Sequence, residues 1–144
     1  MPETLQAPDN SLQPFLSSLA PDAGLRLRTL AHAWQGGGGG LYVGRLALRL
    51  LAPDGTGRTF TAGTLHVAHG EPPKPSLELG RILLQSHGIG AAAWREWCDE
   101  RPDLRVHGFD GDAKFPVVRL DSLPDAALAR LASGLRDLAR LVQR

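Results

Sequence analysis

One set of residues in the sequence has the types that a metal-dependent nuclease uses. Asp103 follows a proline, and Asp112 comes two residues before Lys114. In that chemistry two carboxylates converge on a divalent cation, and the lysine positions or activates a water molecule. Residues 104–109 and 115–120 instead predict a β-hairpin with Asp112 in its turn. Such a hairpin holds the carboxylates about 20 Å apart, at roughly 3.3 Å per strand residue.

We therefore interpret this pattern as a helix stop followed by an Asp-Gly turn. A metal-dependent, nuclease-like hydrolase is kept only as an outlying alternative. Its ligands would be Asp103, Asp110 and Asp112.

The single cysteine, Cys98, is the second candidate for chemistry, as a nucleophile beside His87 or His107. Activated cysteines lie at helix N-termini or among cations. The sequence places Cys98 in the middle of a predicted helix, close to Trp94 and Trp97. We therefore expect a small buried core residue, and we predict no catalytic residue, no metal site and no cofactor.

Five consecutive glycines at 36–40 are the third candidate, as a loop that cradles phosphate. A phosphate loop leads into a helix N-terminus and is usually followed by Lys-Ser or Lys-Thr. Here the glycines lead into a predicted strand that starts Leu-Tyr-Val-Gly-Arg. The run is therefore predicted to be the flexible tip of a hairpin.

Arginines and aromatic residues on neighbouring predicted strands form the one set that suggests a binding surface. Guanidinium groups bind phosphates and aromatic rings stack on bases, which is how open sheets bind single-stranded nucleic acid. The alternative is an ordinary solvent-exposed sheet face. The predicted nucleic-acid-binding or partner-binding residues are Arg26, Arg28, Trp34, Arg45, Arg49, Arg58 and Phe60.

These residues depend on three predicted strands. Residues 24–35 and 41–51 alternate in the manner of strands, and residues 57–68 predict a third after a Pro-Asp-Gly turn. Turn-separated strands of similar length predict a meander. On strand 41–51 the alternation places Tyr42 with the leucines and Arg49 on the opposite face.

Helices are predicted on either side of these strands. A short N-terminal helix starts near residue 10, and a helix that is apolar on nearly all sides spans 75–87. A third helix spans 90–101 and is stopped by a proline. The terminal helix begins at Ser122 and has leucines at alternating spacings of three and four residues, which is the strongest helical pattern in the chain.

These elements predict an α+β fold, because the strands are grouped rather than alternating with helices. It comprises a three-stranded antiparallel meander and a C-terminal hairpin, packed against N-terminal, central and C-terminal helices. Residues 1–9 are predicted to be a flexible tail and residues 10–144 a single domain. The chain of 144 residues, with 42% hydrophobic and 22% charged residues, has ordinary globular composition.

The sequence favours a non-enzymatic binding or adaptor domain, which we expect to be a homodimer. A single-stranded nucleic-acid-binding protein is the alternative, although a net charge of +1 is low for that class. The apolar stretches are shorter than the roughly 18–20 residues of a membrane helix. One cysteine excludes an internal disulfide and favours a cytoplasmic protein.

Overall fold

The computed structural model of the chain describes residue 16 and residues 21–45, 47–69 and 74–143. The helices are α1 (Pro21–Gly36), α2 (Arg81–Ser86), α3 (Ala91–Asp99) and α4 (Asp125–Leu141), with a 3-10 helix at Pro102–His107. The strands are β1 (Gly40–Val43), β2 (Ala47–Pro53), β3 (Thr59–His69), β4 (Lys74–Leu79) and β5 (Val117–Arg119). They form one antiparallel sheet in the order β1-β2-β3-β4-β5. The α+β class is confirmed, and no helix among these residues has the length and apolarity to cross a bilayer.

The sheet has one buried and one accessible face, because its register places leucines in rows across the strands. One row runs through Val43, Leu48, Leu65, Leu77 and Val118, and all but the first of these are buried. Helix α1 packs on β1, β2 and β3, and α4 packs on α1. The core therefore lies between the leucine face and these two helices.

The predicted strand at 24–35 is wrong, because these residues belong to helix α1. Leu27, Leu30, Ala31 and Trp34 are buried, at the spacing of one helical face. Leu25, which fits the strand alternation equally well, is 61% exposed. The meander therefore starts at β1 and obtains its additional strands from β4 and β5.

The glycine run is not a hairpin tip, since it joins helix α1 to strand β1 in close contact with other elements. A Cβ atom at Gly37 would lie 2.3 Å from the carbonyl oxygen of Arg136, and one at Gly39 would lie 2.1 Å from Nε1 of Trp34. Gly38 has a φ of +100°, which residues with a side chain rarely adopt. Gly37 and Gly39 are therefore required for close packing.

Two other predicted elements are wrong in type. The predicted helix at 75–87 contains strand β4 followed by the short helix α2, because its leucines at 77 and 79 alternate into the buried face of the sheet. Residues 104–109 lie mostly in the 3-10 helix, so they form no hairpin. Residues 115–120 contain β5, which pairs with β4.

Three predicted elements are confirmed with shifted ends, whereas the single strand predicted at 41–51 is divided in two. Residues 57–68 correspond to β3, residues 90–101 to α3 and the terminal helix to α4. Residues 41–51 contain β1 and β2, which are joined by a tight turn in which Gly44 donates a hydrogen bond to Ala47. The predicted tail and first helix lie outside the described residues, apart from Leu16, which is buried.

Candidate functional site

Three predicted binding residues lie on helix α1 rather than on a strand face. The Trp34 ring is 0% exposed, and its indole nitrogen donates a hydrogen bond of 2.9 Å to the carbonyl oxygen of Leu51. This environment leaves no ring face for a base. Arg28 is half-buried and interacts with other parts of the chain.

Arg26, the third of these residues, connects α1 to the segment before α4. Its Nη1 atom donates hydrogen bonds to the carbonyl oxygens of Leu120 (2.9 Å) and Leu123 (2.7 Å). Its Nε atom lies 3.1 Å from a carboxylate oxygen of Asp22. The guanidinium group is therefore bound within the fold.

The other four predicted residues divide between the two ends of the sheet. Arg49 is exposed on β2, and Arg45 is exposed in the turn before that strand. Arg58 is exposed in the β2–β3 turn, and the half-buried Phe60 ring stacks on His87 at 3.9 Å between centroids. Of the seven, only Arg49 is an exposed residue on a strand, and Arg45 lies in the turn before that strand.

The accessible face of the sheet is organised around Arg49. Its row contains Tyr42, Arg49, Thr64, Glu78 and Val117, one from each strand in order. Arg49 lies over the Tyr42 ring, with Cζ 5.6 Å from the centroid, and the Tyr42 residue is 43% exposed. The contact is within the range of a cation–π interaction. We name this side of the sheet the exposed face.

A second row on this face contains Ala47, His66, Ser76 and Arg119, of which Ser76 is buried and Ala47 and His66 are half-buried. Nε2 of His66 lies 2.8 Å from Oε1 of Glu78 in the first row. Arg119 is exposed at the end of its row. Tyr42 was missed from the sequence because an undetected turn inside 41–51 reverses its face relative to Arg49. Glu78 and Arg119 were missed because residues 75–87 were predicted to be a helix and residues 115–120 part of a separate hairpin.

Cys98 lacks the environment of an activated nucleophile. Burial, reinforced by the charges of Asp99 and Asp112, raises the pKa of its thiol to about 11. The thiol is therefore protonated at neutral pH. His87 contacts the Leu83 carbonyl oxygen, and His107 lies 2.9 Å from the hydroxyl of Ser122.

The residues of the nuclease-like pattern have separate structural roles. Asp103 forms an ion pair with Arg130. Asp110 accepts a hydrogen bond of 3.0 Å from the backbone nitrogen of Asp112. Across the part of the chain that the structure describes, no three His, Cys, Asp or Glu side chains are grouped to hold a metal ion.

Helix α3 borders a groove, which we name the α3 groove, with a volume of about 530 Å³. Its other walls are the 3-10 helix and the loop between that helix and β5. The main lining residues are Trp94, Arg95, Cys98, Asp99, Arg105, Phe109, Asp110 and Asp112. The sequence did not predict this groove, because its walls come from three separate segments.

No protein-family model, curated protein or solved structure matches this chain.

Proposed function

We propose that this chain is a non-enzymatic binding or adaptor domain that forms a homodimer through its exposed face. The observation that supports this proposal is the order of side chains in the row centred on Thr64. Arg49 lies on one side of Thr64 and Glu78 lies at the equivalent position on the other side. The row therefore has opposite charges placed symmetrically about β3.

A two-fold axis parallel to β3, between two facing sheets, would place β2 of one copy opposite β4 of the other. Arg49 would then face Glu78 of the second copy, and the same contact would occur twice. Tyr42 at one end of the row would face Val117 at the other end. Facing sheets pack about 10 Å apart, which these side chains can span.

We expect this dimer to be weak and sensitive to salt. The exposed face carries few large apolar side chains, so much of its specificity comes from charge. Ion pairs at accessible positions contribute about 0.2–1 kcal/mol each. Arg49 also contacts Tyr42 of its own copy, and Glu78 also contacts His66 of its own copy.

Sedimentation equilibrium of charge-reversed variants tests the proposal. Arg49→Glu and Glu78→Arg each place like charges across the axis, and each should weaken dimerisation about tenfold. The double variant restores opposite charges and should recover the wild-type association. Arg58→Glu, in an exposed turn away from this face, is the matched control.

Two results would contradict the proposed dimer. One is a wild-type chain that stays monomeric up to millimolar concentration. The other is a double variant that associates as poorly as either single variant while retaining the wild-type circular dichroism spectrum.

Binding of single-stranded nucleic acid is the second candidate function. It is favoured by the exposed Tyr42 ring beside Arg49, with Arg45 in the adjacent turn. Fluorescence anisotropy with labelled oligothymidylate would show affinity that falls steeply with salt, because neutralised phosphates release counterions. Arg45→Glu combined with Arg49→Glu should remove this binding. Unchanged binding by that variant would reject the exposed face as the nucleic-acid site.

The proposed location of the domain is the cytoplasm. This part of the proposal is supported by the single cysteine, because secreted domains of small size commonly depend on disulfides.

A further inference from the structure

The α3 groove has charged side chains of both signs on its rim that are not paired within the fold. Arg95 and Asp99 lie on α3, Arg105 lies on the 3-10 helix and Asp112 lies on the loop opposite. All four are exposed. Among the described residues, none of these side chains takes part in an ion pair or a hydrogen bond.

The nearby Arg101 shows what a structural arginine looks like at the same place. Its guanidinium lies over the Trp97 ring, 4.6 Å from the centroid, and donates a 2.8 Å hydrogen bond to the carbonyl oxygen of the same residue. It also pairs with Glu100 and Asp137. The residue is only 8% exposed, so Arg101 serves the α3–α4 contact while Arg95 and Arg105 do not.

The loop that forms one wall of the groove is held in place although it lacks regular secondary structure. Arg81 donates hydrogen bonds to the carbonyl oxygens of Ala113 (2.7 Å) and Asp112 (3.2 Å). The indole nitrogen of Trp94 donates to the carbonyl oxygen of Gly111 at 2.9 Å. These bonds fix the backbone that carries Asp112 relative to α3, which lowers the ordering cost of binding a ligand.

The floor of the groove is apolar. Trp94 and Phe109 are each 4% exposed, and their ring centroids are 6.3 Å apart. The Cys98 thiol beside them is half-buried and protonated, so it acts as a small apolar group. The close approach of the loop depends on Gly111, where a Cβ atom would lie 2.9 Å from Sγ of Cys98.

We infer that the α3 groove binds a small zwitterion, namely a free amino acid or a short peptide with free ends. Asp99 and Asp112 offer carboxylates to the ammonium group, and Arg95 and Arg105 offer guanidinium groups to the carboxylate. The apolar floor receives the side chain of the ligand. A volume of about 530 Å³ lies within the roughly 300–1,000 Å³ of small-molecule sites and accommodates more than one amino-acid residue.

The experiment is a calorimetric titration of the full chain with the proteinogenic amino acids and with tripeptides. Each ligand is used in its free, N-acetylated and C-amidated forms. The expected result is at least one free ligand that binds at least tenfold more tightly than either of its blocked forms. Tighter binding by tripeptides than by amino acids would identify the ligand as a peptide, and the reverse order would identify a free amino acid.

Two double variants then test which rim side chains bind each end of the ligand. Asp99→Asn combined with Asp112→Asn should weaken binding of the free ligand at least tenfold, and N-acetylation of the ligand should weaken binding to this variant no further. Arg95→Gln combined with Arg105→Gln should also weaken binding of the free ligand at least tenfold, and C-amidation of the ligand should weaken binding to that variant no further. Glu96→Gln, on α3 but outside the lining of this groove, and Arg58→Gln are the matched controls.

Three results would overturn the inference. The first is that no ligand produces heat or changes the amide chemical shift of Trp94 or Gly111. The second is that both double variants bind as the wild-type protein does. The third is that blocked ligands bind as tightly as free ones. Thermal unfolding of each variant identifies any loss that comes from misfolding. All the altered side chains are exposed and unpaired, so we expect wild-type melting temperatures.

Discussion

The exposed face and the α3 groove both present arginines and carboxylates, but they hold them in different ways. On the exposed face, two of the charges lie beside a neighbour that partly satisfies them, as Arg49 is by Tyr42 and Glu78 is by His66. In the groove, Arg95 and Asp112 stay unpaired within the described chain, while the loop beneath is fixed by bonds to its backbone. A regular surface therefore suits a large, weakly held partner, and the fixed irregular loop suits a small ligand.

Removal of Arg81, which holds the loop of the α3 groove, should have the largest effect on stability. Its guanidinium binds two backbone carbonyl oxygens of the groove loop and the amide oxygen of Gln85. Arg81→Ala removes hydrogen bonds made by a charged donor, which we expect to cost about 1.5–3 kcal/mol in total. Urea unfolding followed by circular dichroism measures this loss. A stability equal to that of the wild-type protein would mean that the loop is not held by Arg81.

The reactivity of Cys98 tests the floor of the groove. At pH 8 the folded protein should react with a thiol reagent roughly tenfold more slowly than the urea-unfolded chain, because fewer thiolates outweigh their higher intrinsic nucleophilicity. The thiol pKa rises from its ordinary value of 9.0 to about 11 on folding. The contribution of this protonated thiol to the free energy of unfolding is therefore complete below pH 9 and is lost as the pH rises toward 11. Stopped-flow labelling across this range checks the shift, and equal rates in both states would contradict it.

Truncation on the exposed face should have the smallest effect on stability. Arg49→Ala removes an exposed side chain whose main contact is the Tyr42 ring. We expect a change within about 0.5 kcal/mol in the free energy of unfolding of the monomer. Urea unfolding at a concentration below that of dimer formation measures it. A loss as large as that of Arg81→Ala would show that both regions are structural.

The sequence predicted the elements whose periodicity was unambiguous. Helix α4 was found because its leucines follow one helical face over its full length. Helix α1 was misassigned because Leu25 and Leu27 also fit a strand alternation, and the exposure of Leu25 is decided by tertiary packing. Strand β4 was misassigned because its two leucines continue into the apolar residues of α2, with only Gly80 between the two elements.

The candidate sites were predictable to different degrees for the same reason. The exposure of Arg49 was predictable because local alternation along β2 survives in the structure, whereas Arg45 lies in the turn before that strand. The α3 groove was not found, because the contact between Cys98 and Gly111 joins segments that the sequence assigned to separate elements. Periodicity describes one element at a time, whereas a groove depends on how the backbone of one element approaches another.

The glycine segment after α1 has a consequence for the order in which the elements can pack. Gly37 accepts a hydrogen bond from Gln143, 106 residues further along the chain, and lies against the backbone of α4. The junction between α1 and β1 therefore cannot reach its final packing before α4 docks. We expect a refolding chain to stay protease-sensitive at this junction until α4 is in place.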